Sequence, residues 1–203
     1  MKNKKLFAAA LTAALAVSMM GTSVMAATSA QGTTNFTYTP GTAGPVDPVN
    51  PGEEETSVNN WMVIYPRSIT LTDSNVEAGD TFDNGAAVTF TVKQKQAGSD
   101  GSDAITSDNI PQGIIVEAGG ADANGNYELS ATSRTEKAKM QLAGFGGAKI
   151  TNTADEMGTL VHGGGATQSG KAVIRDNASV VEGNDYNVNV TFTFTNPGAP
   201  TQP

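Results

Sequence analysis

From Tyr186 to Thr195 the chain alternates strictly. Tyr186, Val188, Val190, Phe192 and Phe194 are apolar, and Asn187, Asn189, Thr191, Thr193 and Thr195 are polar. A period of two places the two sets on opposite faces of a strand. Five large apolar side chains on one face require a partner layer, because each one left in water forgoes roughly 1.5–3 kcal/mol of burial. Asn196-Pro197 ends the run, since proline cannot donate to a ladder. We expect a strand over 185–196 that completes a sheet built by the chain before it.

The same pattern recurs upstream. Phe36 and Tyr38 share a face in a short strand expected over 33–39. Trp61, Val63 and Tyr65 alternate with Met62 and Ile64, so this strand is apolar on both faces and expected to be covered on both. Pro66 interrupts it, and Ile69 to Leu71 resumes the alternation. Val88, Phe90 and Val92 point inward from a strand over 86–94. Residues 113–118, 126–132 and 170–176 read as further strands. The segment 135–142 alternates at Ala138, Met140 and Leu142 but also holds good helix formers, and strand is the favoured assignment. Lys149 to Asn152 reads as an edge strand, 155–170 as a glycine-rich excursion, and Asn124-Gly125 as a hairpin turn. Seven to nine short strands with no convincing helix predict an all-β fold. The expected form is a mostly antiparallel two-sheet β-sandwich of immunoglobulin-like or Greek-key type.

The ends of the chain have a different composition. Lys2, Lys4 and Lys5 precede an alanine- and leucine-rich apolar run, and Val24-Met25-Ala26 supplies a cleavage site, so 1–26 is expected to be a signal peptide. The run is short for a membrane span. Residues 27–39 form the short β segment. Residues 40–57 read as a linker, with Pro45, Pro48 and Pro51 at every third position and Glu53-Glu54-Glu55 at its end. The sandwich is expected over 58–196, and an unstructured tail over 197–203.

Cleavage leaves 177 of the 203 residues, enough to bury a core without disulfides, and there is no cysteine. Removing the three signal-peptide lysines leaves nine basic residues against 20 acidic ones, a net charge of −11. An acidic surface repels phosphate backbones and anionic lipid, so no nucleic-acid partner and no integral-membrane role after processing are expected.

The segment Pro45-Val-Asp-Pro-Val-Asn-Pro51 and the terminal Tyr186-x5-Phe192-x-Phe194, followed by Asn196-Pro197, resemble the organisation of the WxL group of exported Gram-positive surface proteins. Phe90-x-Val92 stands where that group has its first Trp-x-Leu motif. Phenylalanine replaces tryptophan in the terminal motif, and the single tryptophan, Trp61, lies elsewhere. The resemblance implies a β-rich domain held non-covalently on peptidoglycan. The wall- or ligand-binding candidates are then Tyr186, Phe192, Phe194, Phe90 and Trp61. The tail has no LPxTG motif for covalent anchoring.

Catalytic chemistry finds little support. His162 precedes three glycines, but there is no Gly-x-Ser-x-Gly elbow and no second histidine, so no catalytic residue and no zinc site are expected. No cofactor is expected either. Calcium is the one alternative, through Asp100, Asp103 and Asp108 or through Asp122-x-Asn124-x-Asn126. Lys93, Asn189 and Glu117 have the residue types for an intramolecular isopeptide bond. Trp61, Tyr65 and Tyr127 could form a sugar platform or simply core.

The expected function is therefore non-enzymatic: a secreted, envelope-associated surface or adhesion protein. Its partner would be peptidoglycan, another wall polymer or another surface protein. The alternative is a structural subunit of a fibre or layer that self-associates by strand addition through Phe36–Tyr38 or the last strand.

Overall fold

The computed structural model describes residues 29–41, 53–58, 61–94, 113–132, 134–161 and 163–197. The expected signal peptide, residues 42–52 of the linker, the loop carrying Asp100, Asp103 and Asp108, His162 and the tail from residue 198 lie outside them.

The chain is all-β. Its strands are β1 (Ser29–Tyr38), β2 (Glu53–Val58), β3 (Trp61–Pro66), β4 (Ser68–Leu71), β5 (Ala86–Gln94), β6 (Ile114–Ala118), β7 (Asn126–Ser130), β8 (Lys137–Ala143), β9 (Glu156–Leu160), β10 (Thr167–Asp176) and β11 (Tyr186–Thr195). They join in one curled, open sheet in the order β2-β3-β5-β10-β8-β7-β11-β1-β4, with β6 bridging β11 to β9. Every pairing is antiparallel except that of β1 with β4, which is parallel.

The curl follows from the side-chain pattern. Inward-facing Val88, Phe90 and Val92 of β5 and Tyr186, Val190, Phe192 and Phe194 of β11 are all buried. Although β10, β8 and β7 separate β5 from β11 in the sheet, the Phe90 ring lies 4.9 Å from that of Phe192 and 5.9 Å from that of Phe194. The first contact is edge-to-face, an arrangement that suits the ring quadrupoles. Tyr65 of β3 meets Phe194 at 5.8 Å. The sheet bends until its inner faces share one core.

Its two ends meet at Pro66. Only Arg67 separates β3, near one end of the sheet, from β4 at the other. There Thr34 Oγ1 donates to the Pro66 carbonyl at 2.6 Å, and the Asn35 amide to that of Arg67 at 2.9 Å. At Gly32 of β1 an added Cβ would sit 2.4 Å from the Tyr65 ring, so a bare backbone is what lets β1 pass over β3.

Several expectations are corrected. Residues 53–57, assigned to the linker, belong to β2 (Glu53–Val58), an acidic strand paired with β3. The N-terminal strand, expected over 33–39 with its partner left open, is longer: β1 starts at Ser29 and pairs residue for residue with β11 from Ser29↔Thr195 to Tyr38↔Tyr186. The glycine-rich excursion contains β9. Lys149 to Asn152 makes only isolated bridges. Asn124-Gly125 turns between β6 and β7, which pair with β11 rather than with each other, so it is a turn but not a hairpin. The segment 135–142, for which strand is the favoured assignment, does form a strand, β8.

Candidate functional site

The five residues marked by the terminal-motif pattern and the lone tryptophan are core. Tyr186, Phe192, Phe194 and Phe90 are fully buried and Trp61 is 3 % exposed. Phe90, Phe192 and Phe194 form one aromatic cluster; no ring contact joins Trp61 or Tyr186 to it. Their faces meet protein, so a direct contact with a wall polymer is corrected to a packing role. The sugar platform fails in the same way: Tyr65 and Tyr127 are buried, with their hydroxyls on the Glu54 carboxylate at 3.2 Å and the Ala118 carbonyl at 3.3 Å.

Other candidate chemistry is dispersed. Lys93 pairs opposite Met62, Asn189 opposite Asn35 and Glu117 opposite Thr193, so the three isopeptide candidates are not brought together. Asp122 is occupied by its own turn. Its Oδ1 accepts from the amides of Asn124 and Asn126, each at 2.8 Å, and its Oδ2 accepts from Asn126 Nδ2 at 3.1 Å. These bonds, led by the Asn126 amide, hold its carboxyl below the usual range. Among the described residues no three His, Cys, Asp or Glu side chains gather as a metal site.

Two polar clusters serve the fold. On the outer face of β8 and β10, Arg175 and Glu77 form a buried pair at 3.8 Å. Arg175 donates to Gln141 Oε1 at 3.0 Å and to the carbonyls of Glu77 and Thr81, and lies 4.6 Å over the Phe82 ring. Burial lowers its pKa, and the Glu77 and Asp80 charges oppose that shift. The cluster fastens the 73–85 loop over Val173 and Ala143. At the end of β1, Tyr38 donates to Asp73 Oδ1 at 2.5 Å and accepts from Asn177 Nδ2 at 2.8 Å, while the Gly41 amide donates to Asp73 Oδ2 at 3.0 Å. Burial first, and the Asp73 bond second, push the Tyr38 phenol up to about 12.

What remains accessible is the polar side of β1 and β11. Gln31, Thr33, Asn187, Asn189 and Thr191 are exposed, and Asn35, Thr37, Thr193 and Thr195 are half-buried. Directly paired residues share a face, so these side chains form one continuous strip. Gln31 Nε2 donates to Thr193 Oγ1 at 3.4 Å and Asn35 Nδ2 to Asn189 Oδ1 at 2.9 Å, which orients the amides. Neither strand carries a charged residue. Ten paired residues make a strip about 30 Å long and two strands, about 10 Å, wide. A smaller strip on β5 and β10 pairs Thr89 with Ser169 and Thr91 with Thr167 at 2.7 and 2.9 Å. Alternation alone gave these residues as outward-facing. The missed signal was the joint absence of charge from two strands of an acidic chain.

No family model matches this chain, and neither do any of the curated proteins or solved structures with which it was compared.

Proposed function

We propose that this is an exported, non-enzymatic surface protein that associates non-covalently with the cell envelope, and that the uncharged outer strip of β1 and β11 is its contact face. In this reading the curled sheet works as a two-layer sandwich, with β3 and β5 in one layer and β11 and β1 in the other. The Phe90–Phe192 and Tyr65–Phe194 ring contacts support that layering. The observation that carries the functional reading is the strip itself: hydroxyl and amide groups in register, free of charge, on a protein with 20 acidic residues. Such a surface can exchange hydrogen bonds with a neutral, polyhydroxylated polymer without desolvating an ion. Peptidoglycan glycan is the ligand class this favours.

The test is retention of residues 27–203 on purified Gram-positive cell walls, with and without a calcium chelator. The comparison is with an Asn189→Ala/Thr191→Ala variant whose folding is checked by Trp61 fluorescence. Saturable, chelator-insensitive retention that the folded variant loses supports the reading. Unchanged retention moves the contact off this strip. No retention by the parent rejects wall binding.

A further inference from the structure

We infer that β1 is an exchangeable strand, and that the slot between β11 and β4 also accepts β1 from a second copy of this chain. This goes beyond envelope binding and stands or falls apart from it.

The slot is a full strand position. Its β11 side offers ten paired residues without a bulge, and its β4 side four in parallel. β1 contributes Thr34, Phe36 and Tyr38 to the interior, each fully buried. Without β1, the β11 ladder would be an open edge above an exposed core. The contacts that fix β1 are local to the slot: Tyr38 with Asp73 and Asn177, Thr39 Oγ1 with Asp185 at 2.8 Å, and Asn35 with Asn189. A β1 from another copy would make the same contacts, so exchange is close to neutral in contact energy and governed by concentration.

The length of the tether permits it. Residues 39–52 connect β1 to β2 and can span at most about 46–50 Å. The path within one chain is far shorter. Glu53 is paired with Pro66, whose carbonyl bonds Thr34, only four residues back along β1 from Tyr38. Four strand residues and one or two strand spacings amount to roughly 20 Å.

Charge disfavours pairing at two of the sheet's outer strands. β2 presents Glu53 and Glu54, and β9 begins with Glu156, the kind of residues that guard strands against pairing. β1 and β11 hold no charge that would repel a second acidic copy at the point of exchange.

The chain has no cysteine, so one engineered pair reports alone. Gln31 and Thr193 are directly opposed, at a separation that a disulfide can bridge with a small adjustment. Gln31→Cys and Thr193→Cys are introduced singly into the chain from Ala27 onward, which contains every described residue. The two proteins are mixed at high concentration, incubated and oxidised. Exchange holds the two thiols side by side, so the mixed dimer should exceed each homodimer by roughly tenfold. The double variant, oxidised while dilute, closes within one chain and should no longer form covalent dimers with either single variant. Dimers in random proportions, or no covalent dimer, would overturn the proposal. Near-native Trp61 fluorescence in each variant keeps misfolding from imitating either result.

Discussion

Arg175→Met should be among the most damaging single substitutions outside the main core. The Arg175 and Glu77 side chains are only 8 % and 5 % exposed. Methionine keeps the aliphatic stem near the Phe82 ring but removes the charge and three donated bonds, to Gln141 Oε1 and the carbonyls of Glu77 and Thr81. The Glu77 carboxylate would retain Thr81 Oγ1 at 3.1 Å and the Asn84 amide, with no cation beside it. Removing one member of a buried pair costs about 3–5 kcal/mol, because the remaining charge stays desolvated. For a domain of this size each kcal/mol lowers Tm by about 2–4 °C, so the expected loss is about 6–20 °C. Urea unfolding followed by Trp61 fluorescence is the assay, since the single tryptophan is 3 % exposed and reports its own exposure. A double-mutant cycle with Glu77→Gln should show coupling of about 1–3 kcal/mol, the double variant losing less than the sum of the singles. Salt should leave the Arg175–Glu77 coupling nearly unchanged, because a buried pair is poorly screened. An Arg175→Met loss under about 1 kcal/mol, or additivity in the cycle, would refute the reasoning.

Stability should fall in alkali: with the folded Tyr38 pKa raised from 10.0 to about 12, the unfolded chain releases its proton first, and the stabilisation present below pH 10 is lost as pH rises toward 12. Burial raises Tyr65 and Tyr127 as well and adds to the effect; equal urea midpoints at pH 9 and pH 11 would contradict it. Gly125→Ala should cost about 1–3 kcal/mol in the same assay, because φ is 81° there and the new Cβ would lie 2.4 Å from the Ile150 carbonyl. Phe192→Ala should cost about 3–5 kcal/mol by leaving a cavity against Phe90, while wall retention measured well below its Tm stays at the parent level; selective loss of retention with stability intact would return Phe192 to the contact surface.

Strands with a dry and a wet face were legible because burial acts on every second side chain. β5 and β11 follow the alternation at Val88, Phe90 and Val92 and at Tyr186, Phe192 and Phe194. The strands that escaped notice lack that contrast. β2 lies at the end of the sheet, pairs only with β3 and opens with three glutamates, so its residues look like a solvated linker. β9 pairs only with β6, and its Gly158, which reads as a turn residue, is packed against Phe145. The first turn of alternation in β1 is hidden by Ala30 and Gly32, where Gly32 is required by the Tyr65 ring rather than by flexibility. The curl of the sheet depends on which strands pair across the whole chain, and local periodicity carries no record of that.

The candidate site was misjudged for the same reason that the fold was found. Period-two alternation divides each strand into a packing set and a presenting set, and a large aromatic in the packing set is drawn inward by its own area. Choosing Tyr186, Phe192 and Phe194 as ligand contacts assigned binding to the set that the core had already claimed. The presenting set consists of Asn187, Asn189 and Thr191, and the partner strand extends it with Gln31 and Thr33. Because β1 supplies half of that strip, the proposed contact face would exist only while the slot beside β11 is filled. A β1 from the same chain and one from a second copy would complete the same strip. Envelope binding and strand exchange are therefore compatible, and an assembled form would present one strip per copy. Assembly would then raise wall avidity through repeated weak contacts without altering any single one of them.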